Sequence, residues 1–330
     1  MIALVSQVVS ETTTEKVMDW LGYLGADFVR LNGEDMNADN ALEIRLGAGG
    51  GTLRVDVGGR TVDARGTRAV WLRRWHSMEN LADLRRDDPS GVGHGVVTFF
   101  ARELMALRGA LADGLRGAPW LTPESGLAVN KLRVLRVADE VGLNVPPTLI
   151  TNRRETLAAF VREQGRVICK PLGEATNLQV GATNYVMFTA EVTPELVERL
   201  PERFFPSLFQ PRVEKRYELR IFYLDGRCWP MAIFSQGDAQ TAGDFRNYNL
   251  QRPNRCVPYA LPAAVEAAVV ALMRALELDT GSVDLIRADD GRYVFLEVNP
   301  IGQFGMVSEP CNYYLERRVA EHLMEMHDVR

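Results

Sequence analysis

The stretch Arg292-Tyr-Val-Phe-Leu-Glu-Val-Asn-Pro300 decides the fold. Side chains two apart on a strand share a face. Strict alternation therefore puts Phe295, Glu297 and Asn299 on one face and Val294, Leu296 and Val298 on the other. A carboxylate beside an amide, on an otherwise apolar strand that stops at Pro300, points to hard-cation chemistry. Mg²⁺ suits such a site, because it takes one or two carboxylates and leaves the rest of its shell to water and phosphate. A second carboxylate, Asp284, lies in the preceding run Ser282-Val-Asp-Leu-Ile286. Between the two runs, Asp290-Gly291 is a hairpin turn signal, and pairing across it brings Asp284 near Glu297. The competing reading is an edge strand with solvated polar residues. The large apolar residues at the intervening positions count against it.

The chain has 330 residues, more than one packed core ordinarily serves, so two or three domains are expected. Hydrophobic residues at 46% and charged residues at 25% are ordinary for a globular protein. A net charge of −5 excludes a general nucleic-acid footprint. Cys169, Cys228, Cys256 and Cys311 are widely spaced with no CxxC, which argues against a zinc cluster or a disulfide framework and fits a reducing cytosol. Met1-Ile-Ala-Leu-Val5 is too short and uncharged for a signal peptide, and no stretch approaches a membrane span, so a cytoplasmic location is expected.

The opening reads as a parallel α/β unit. Ile2–Val5 is a strand. Thr12-Thr-Thr-Glu15 offers a capping box, Val17, Trp20, Leu21 and Leu24 follow at helical spacing, and Phe28–Leu31 is the next strand. Two short strands around Gly58-Gly59, a Gly49–Gly51 loop, a strand at Ala69–Leu72 and a helix over Val97–Leu115 complete this part, with a boundary at Gly117-Ala-Pro119. Beyond it, Asn130–Val141 is a helix with Leu132, Leu135, Ala138 and Val141 inward. Strands are expected at Arg166–Cys169 and Asn184–Phe188 around a polar loop, Phe209–Val213 is another apolar segment, and a hairpin is expected at Glu218–Ile233 turning at Asp225-Gly226. Pro262 opens a helix to about Leu278, and another runs from about Tyr313.

Four further features suit nucleotide phosphates. Lys131 starts a helix, so its ammonium and the helix N-terminus can both face an anion. Lys170 ends a strand before Pro171 and a glycine-containing loop. Glu218 and Arg220 share one strand face, a hydroxyl acceptor beside a phosphate clamp. Arg246 lies in the polar run Asp244–Asn249, where arginine can bind phosphate bidentately. Each alone also reads as a solvated surface charge; their order along the chain carries the argument.

That order resembles the ATP-grasp superfamily over roughly Trp120–Tyr314. The resemblance implies an α/β (α+β) ATP-grasp fold with an amino-terminal parallel α/β domain (1–117), a central subdomain with a lid (118–208) and a carboxy-terminal subdomain with the Mg²⁺ site (209–330). It implies that Lys131 and Lys170 hold ATP phosphates, that the backbone of Gln210, Arg212 and Val213 forms an adenine hinge, and that Glu218 binds ribose. Arg220 and Arg246 would stabilise the transferring phosphate, while Asp284, Glu297 and Asn299 ligate Mg²⁺. The loop Gly173–Gly181 lacks the denser glycine pattern of many members, which puts its phosphate contacts in doubt.

Met231-Ala-Ile-Phe-Ser-Gln236, Asp244–Asn249, Asn299-Pro-Ile-Gly-Gln-Phe304 and Ser308–Asn312 look like the ATP-grasp maturases of ribosomal peptides, the graspetide (microviridin-type) ligases and especially the grasp-with-spasm group. Trp20-Leu21, Arg30-Leu-Asn32 and Trp71-Leu-Arg-Arg74 add to that likeness. The implied partner is a precursor peptide carrying a leader, held around Arg166–Phe188 and Pro194–Leu200; a homodimer is compatible with it. The implied reaction activates an Asp or Glu side chain as an acyl phosphate, which a Ser or Thr hydroxyl or a Lys amine then attacks. A ligase for small molecules or protein tails shares this chemistry and remains open. A non-catalytic ATP-binding scaffold is a third reading, against which the intact lysines and metal-type residues count.

Overall fold

The computed structural model describes every residue except 9–10, 37–40, 48–49, 64, 75–92, 124–125, 127–128, 174–176, 181–182, 187–188, 238–248, 250 and 329–330. The chain divides into two compact units. One comprises Met1–Ala128, Leu278–Thr280 and Pro300–Arg330; the other comprises Val129–Glu277 and Gly281–Asn299.

The first unit is built on a parallel sheet of β1 (Ile2–Ser6), β2 (Phe28–Asn32) and β6 (Ala69–Leu72), in the order β2-β1-β6. β1 is buried at all five positions, as a strand covered on both faces must be. Ala3, Val5, Val29, Leu31, Val70 and Leu72 pack on one face with Leu111 and Leu115 of the helix Gly93–Leu115. The same core takes Leu53, Val55 and Val62 from an antiparallel sheet of β3 (Ala41–Gly47), β4 (Gly50–Val57) and β5 (Arg60–Asp63). Three strands therefore stand where the sequence suggested two, and Gly50 and Gly51 open β4 rather than a loop. The helix Thr12–Tyr23, which buries Val17 and Leu21, packs on the carboxy-terminal helix Leu315–Asp328. Its N-cap is Glu11 with no side-chain cap bond, so the expected Thr12 capping box does not form. The helix expected from about Tyr313 is present as Leu315–Asp328; a short helix not expected from the sequence, Gly305–Cys311, precedes it, and Asn312 and Tyr314 adopt positive φ of 53° and 51° between them.

The second unit contains two larger sheets. In the order β11-β8-β12-β7, strands β7 (Leu149–Arg153), β8 (Val167–Lys170), β11 (Ala190–Val192) and β12 (Arg203–Pro211) pair antiparallel. The helices Arg154–Gln164 and Pro194–Arg199 cover them through Leu157, Val197, Val167, Val192 and Phe209. Thr193 caps the second helix, with Pro194 at its first turn. A short hairpin, β9 (Asn177–Val180) and β10 (Thr183–Val186), stands apart.

The five-stranded sheet runs β15-β14-β13-β16-β17. Its strands are β13 (Lys215–Leu224), β14 (Arg227–Phe234), β15 (Arg255–Pro258), β16 (Thr280–Ala288) and β17 (Tyr293–Asn299). Asp225 and Gly226, at φ of 43° and 80°, make the expected tight turn between β13 and β14, and Gly291 at 89° turns β16 into β17. The helix Lys131–Glu140 packs on β17 and on the helix Ala263–Ala275. It buries Val134, Leu135, Val137 and Ala138, while Leu132, expected inward, is exposed.

Candidate active site

In the second unit, a cleft brings together residues far apart in the chain. Lys131 enters it from a helix start, Lys170 from the end of β8, Gln210 from β12 and Glu297 from β17. Val134, Leu135, Leu208, Leu296 and Val298 make the walls apolar. A mostly apolar cleft with a few convergent polar groups is the usual form of a small-molecule site. Lys131 Nζ lies 3.7 Å from Glu297 Oε2. The helix terminus beneath Lys131 contributes less than expected, because the Asn130 side chain already accepts from Leu132 and Arg133 N–H at 3.0 and 3.1 Å. The ammonium is the stronger anion partner at that end.

Gln210 is 2% exposed, and its Nε2 donates to Thr148 Oγ1 at 2.9 Å. Thr148 in turn donates to the Pro146 carbonyl at 2.9 Å, so the segment Val145–Thr148 fixes the amide. Arg212 does not line this cleft. Its N–H donates to the Arg166 carbonyl at 2.8 Å and its Nη1 to Glu191 at 2.9 Å. Glu191 also takes a two-pronged contact from Arg166, at 2.9 and 3.1 Å. The Arg166 hydrogen bonds hold the Glu191 carboxyl below its usual range, against an opposing desolvation. Val213 N–H makes no hydrogen bond among the described residues, which leaves it as a backbone donor of this connection.

Glu218 and Arg220 do share a face of β13, and both are buried. Glu218 accepts from Lys215 and from Ser235 Oγ. Lys215 escaped the sequence reading because residues three apart on a regular strand face opposite ways. The ladder between β13 and β14 is in register only from Glu218 onward, and Lys215 precedes it. Arg220 Nη1 donates to Asp284 Oδ2 at 2.6 Å, in a pair whose side chains are 9% and 10% exposed. Arg246 lies outside the described residues.

On the carboxylate hairpin, Asp284 stands opposite Glu297 and Ser282 opposite Asn299. Register partners share a sheet face, so all four do. Phe295 does not join them. The register shifts between Asp284 and Leu285, pairing Leu285 with Phe295 and leaving Leu296 as the extra residue of a bulge. Val294, paired with Ile286, is on the metal-type face instead. The donor set, two carboxylates with an amide and a hydroxyl, is all hard oxygen and fits Mg²⁺. Ser282 Oγ and Arg220 Nε are buried without partners, as groups beside an ion and its phosphate or water shell would be. Among the described residues, no cluster of three or more His, Cys, Asp or Glu forms a metal cage of its own. Burial raises the thiols of Cys169, Cys228 and Cys256, so none is an activated nucleophile.

No protein-family model matches the sequence, and no curated protein does. Solved structures do. The macrocyclase MdnC from Microcystis aeruginosa MRC, bound with precursor peptide MdnA, superposes with a TM-score of 0.82 at 25% identity over 98% of this chain and 99% of that one. The Chryseobacterium gregarium RiPP-associated ATP-grasp ligase, in complex with ADP and a leader and core peptide, gives 0.80 at 22% identity over 99% and 96%. The ATP-grasp ligase PsnB, with a minimal precursor, Mg and ADP, gives 0.75 at 18% over 99% and 97%. No helix among the described residues is long and apolar enough to cross a membrane. With two lysines, a buried glutamine and a metal-type carboxylate gathered in one cleft, the chain is similar in fold to the macrocyclase MdnC and to these two ATP-grasp ligases.

Proposed function

We propose that the chain uses ATP and Mg²⁺ to join side chains within a ribosomal precursor peptide. The observation that carries this reading is the meeting of Lys131, Lys170, Gln210 and Glu297 in one cleft. Lys131 and Lys170 bind the phosphates; the Gln210–Val213 backbone takes the adenine edge; Glu218, fixed by Lys215 and Ser235, accepts from the ribose. Asp284, Glu297 and Asn299 hold Mg²⁺, which when bound supplies charge for the γ-phosphate. Arg220 and Arg246 stabilise the phosphoryl group in flight.

The peptide's Asp or Glu carboxylate attacks the γ-phosphorus and ADP leaves. A Ser or Thr hydroxyl, or a Lys amine, of the same peptide then attacks the acyl carbon, losing its proton as phosphate departs. An intramolecular acceptor needs little further catalysis, because holding the two groups together supplies much of the rate. The leader is held apart from this chemistry, around Arg166–Phe188 and the helix Pro194–Arg199.

The test incubates the protein with ATP, Mg²⁺ and a candidate precursor, a short Asp/Glu- and Ser/Thr-rich peptide with its leader. Each ring should release one ADP and lower the peptide mass by one water. Mild base should reopen ester rings and spare amides. A mass increase by an added amino acid would refute ring closure in favour of a tail-adding ligase.

A further inference from the structure

At the carboxyl ends of the parallel strands, the first unit buries a dense set of polar groups. Ser6, Gln7, Glu11, Thr13, Thr14 and Arg73 are each 7% exposed or less. β1 is also where the strand order reverses, with β2 on one side and β6 on the other. In open α/β sheets, the crevice outside the carboxyl ends at such a reversal is where ligands bind.

At the centre, one carboxylate serves two guanidiniums. Glu11 Oε1 accepts from Arg73 Nε and Nη2 at 3.4 and 3.3 Å, and Glu11 Oε2 lies 3.1 Å from Arg74 Nε. Arg73 is enclosed. Its guanidinium lies 5.4 Å from the Trp71 ring and 5.6 Å from that of Phe304, and its Nη1 donates to the Gly302 carbonyl at 3.4 Å. Burial pushes Arg73 down to about 10; Glu11 opposes the shift and the charge of Arg74 adds to it. Arg74 is different. Its side chain is 29% exposed, Glu11 is its one partner among the described residues, and its two Nη groups make no hydrogen bond. The charges at the β2 edge have partners of their own. Arg30 pairs with Glu15 at 3.5 Å, Glu34 accepts from Val8 N–H at 3.1 Å, and Asp35 accepts from Asn32 N–H at 2.6 Å. Among the described residues on the β6 side, Arg73 and Arg74 share the single carboxylate of Glu11, which leaves one cation in excess.

We infer that Arg74, braced by Glu11, is a carboxylate-binding subsite that takes an acidic side chain of the peptide substrate. The inference deepens the ligase reading and rests on it for the identity of the ligand. An arginine with both Nη groups unengaged offers the planar fork that suits a carboxylate. Stability alone is a poor account of the cluster, because a buried ion pair is often no better than apolar residues of the same volume. The subsite is also joined to the metal-type hairpin by the chain itself. Three residues after Asn299, Gly302 accepts from Arg73, and Gln303 accepts from Thr13. Placing an acidic residue of the peptide there would give the loop that leaves Asn299 a fixed substrate partner.

The test is isothermal titration calorimetry of the full chain without nucleotide. The probes are N-acetyl-aspartate N-methylamide and its asparagine counterpart. The aspartate probe should bind in the millimolar range, with the asparagine probe about tenfold weaker or worse. Arg74→Gln should bind both alike, and Arg74→Lys, which keeps the charge but loses the fork, should fall between. Equal affinity of the wild type for the two probes, or unchanged aspartate affinity in Arg74→Gln, overturns the subsite. If Arg74→Gln fails to fold, the wild-type comparison and Arg74→Lys carry the test. No turnover enters this assay. A chain that discriminates the probes yet closes no rings would lose the ligase reading and keep the subsite.

Discussion

Removing one member of the Arg220–Asp284 pair should unsettle the second unit in proportion to how deeply the pair is buried. Asp284→Leu leaves the Arg220 guanidinium, 9% exposed, without its 2.6 Å partner. Breaking a buried pair from one side costs about 3–5 kcal/mol. For a unit of this size, each kcal/mol moves the melting point by about 2–4 °C, so the drop should be about 6–20 °C. Arg220→Met should cost a similar amount by taking away the carboxylate's 2.6 Å guanidinium partner. The double variant removes both charges and should recover most of the loss, since an apolar replacement of the whole pair is close to neutral. Thermal melts of all four proteins without nucleotide supply the cycle, and ADP release supplies the control. Stability should return in the double variant while turnover stays at background, because both residues are also proposed to serve the chemistry. Simple addition of the two single losses would show that the pair is not an energetic unit and refute the reasoning.

Glu297→Ala should abolish ADP release and leave the fold intact, and Mg²⁺ should bind the wild type only when nucleotide is present, since the protein offers few ligands. Full turnover in that variant would remove the metal assignment. Lys170→Ala should weaken ATP binding by about tenfold or more, the range expected for one lost charged contact, with the melting point nearly unchanged; calorimetry with a slowly hydrolysed ATP analogue reads it. Cys228, pushed up to about 12 chiefly by burial, should resist iodoacetamide at pH 8 in the native protein and react once unfolded, as peptide mass spectrometry will report. The Glu191 carboxyl, lowered by Arg166, keeps its pairing above its ordinary 4.5 and loses it only as the pH falls through the lower folded value. ATP affinity should therefore show no titration from this pair at pH 5 and above, and one there would contradict its geometry.

The carboxylate hairpin was legible because its signals are local. A turn dipeptide fixes which strands meet, and Asp284 falls opposite Glu297 as the turn requires. The bulge at Leu296 was not legible, since alternation assumes an unbroken ladder; one extra residue was enough to send Phe295 to the far face. Tertiary contacts hid the rest. Gln210 is held by Thr148, 62 residues away, and no local pattern links them. Lys131 was placed correctly at a helix start, but the sequence did not reveal that Asn130 would take the N–H groups an anion could have used. The inward residues of that helix shifted from Leu132 to Val134 and Val137, because its neighbours are β17 and another helix and not a single flat surface.

The route of the chain through its two units sets an order of events on the ribosome. The helix Thr12–Tyr23 is made long before Leu315–Asp328, yet the two pack together. At about 5–20 residues per second, about 15–60 s separate their synthesis. During that interval Val17 and Leu21, fully buried in the finished protein, have no cover from the carboxy-terminal helix. The residues from Val129 to Asn299 can meanwhile emerge and close on themselves, as their own contacts allow. Of the two units, the one begun earlier is therefore finished later. A ribosome that stalls before Leu315 leaves a nascent chain whose nucleotide unit is complete and whose amino-terminal sheet still exposes an apolar face to chaperones.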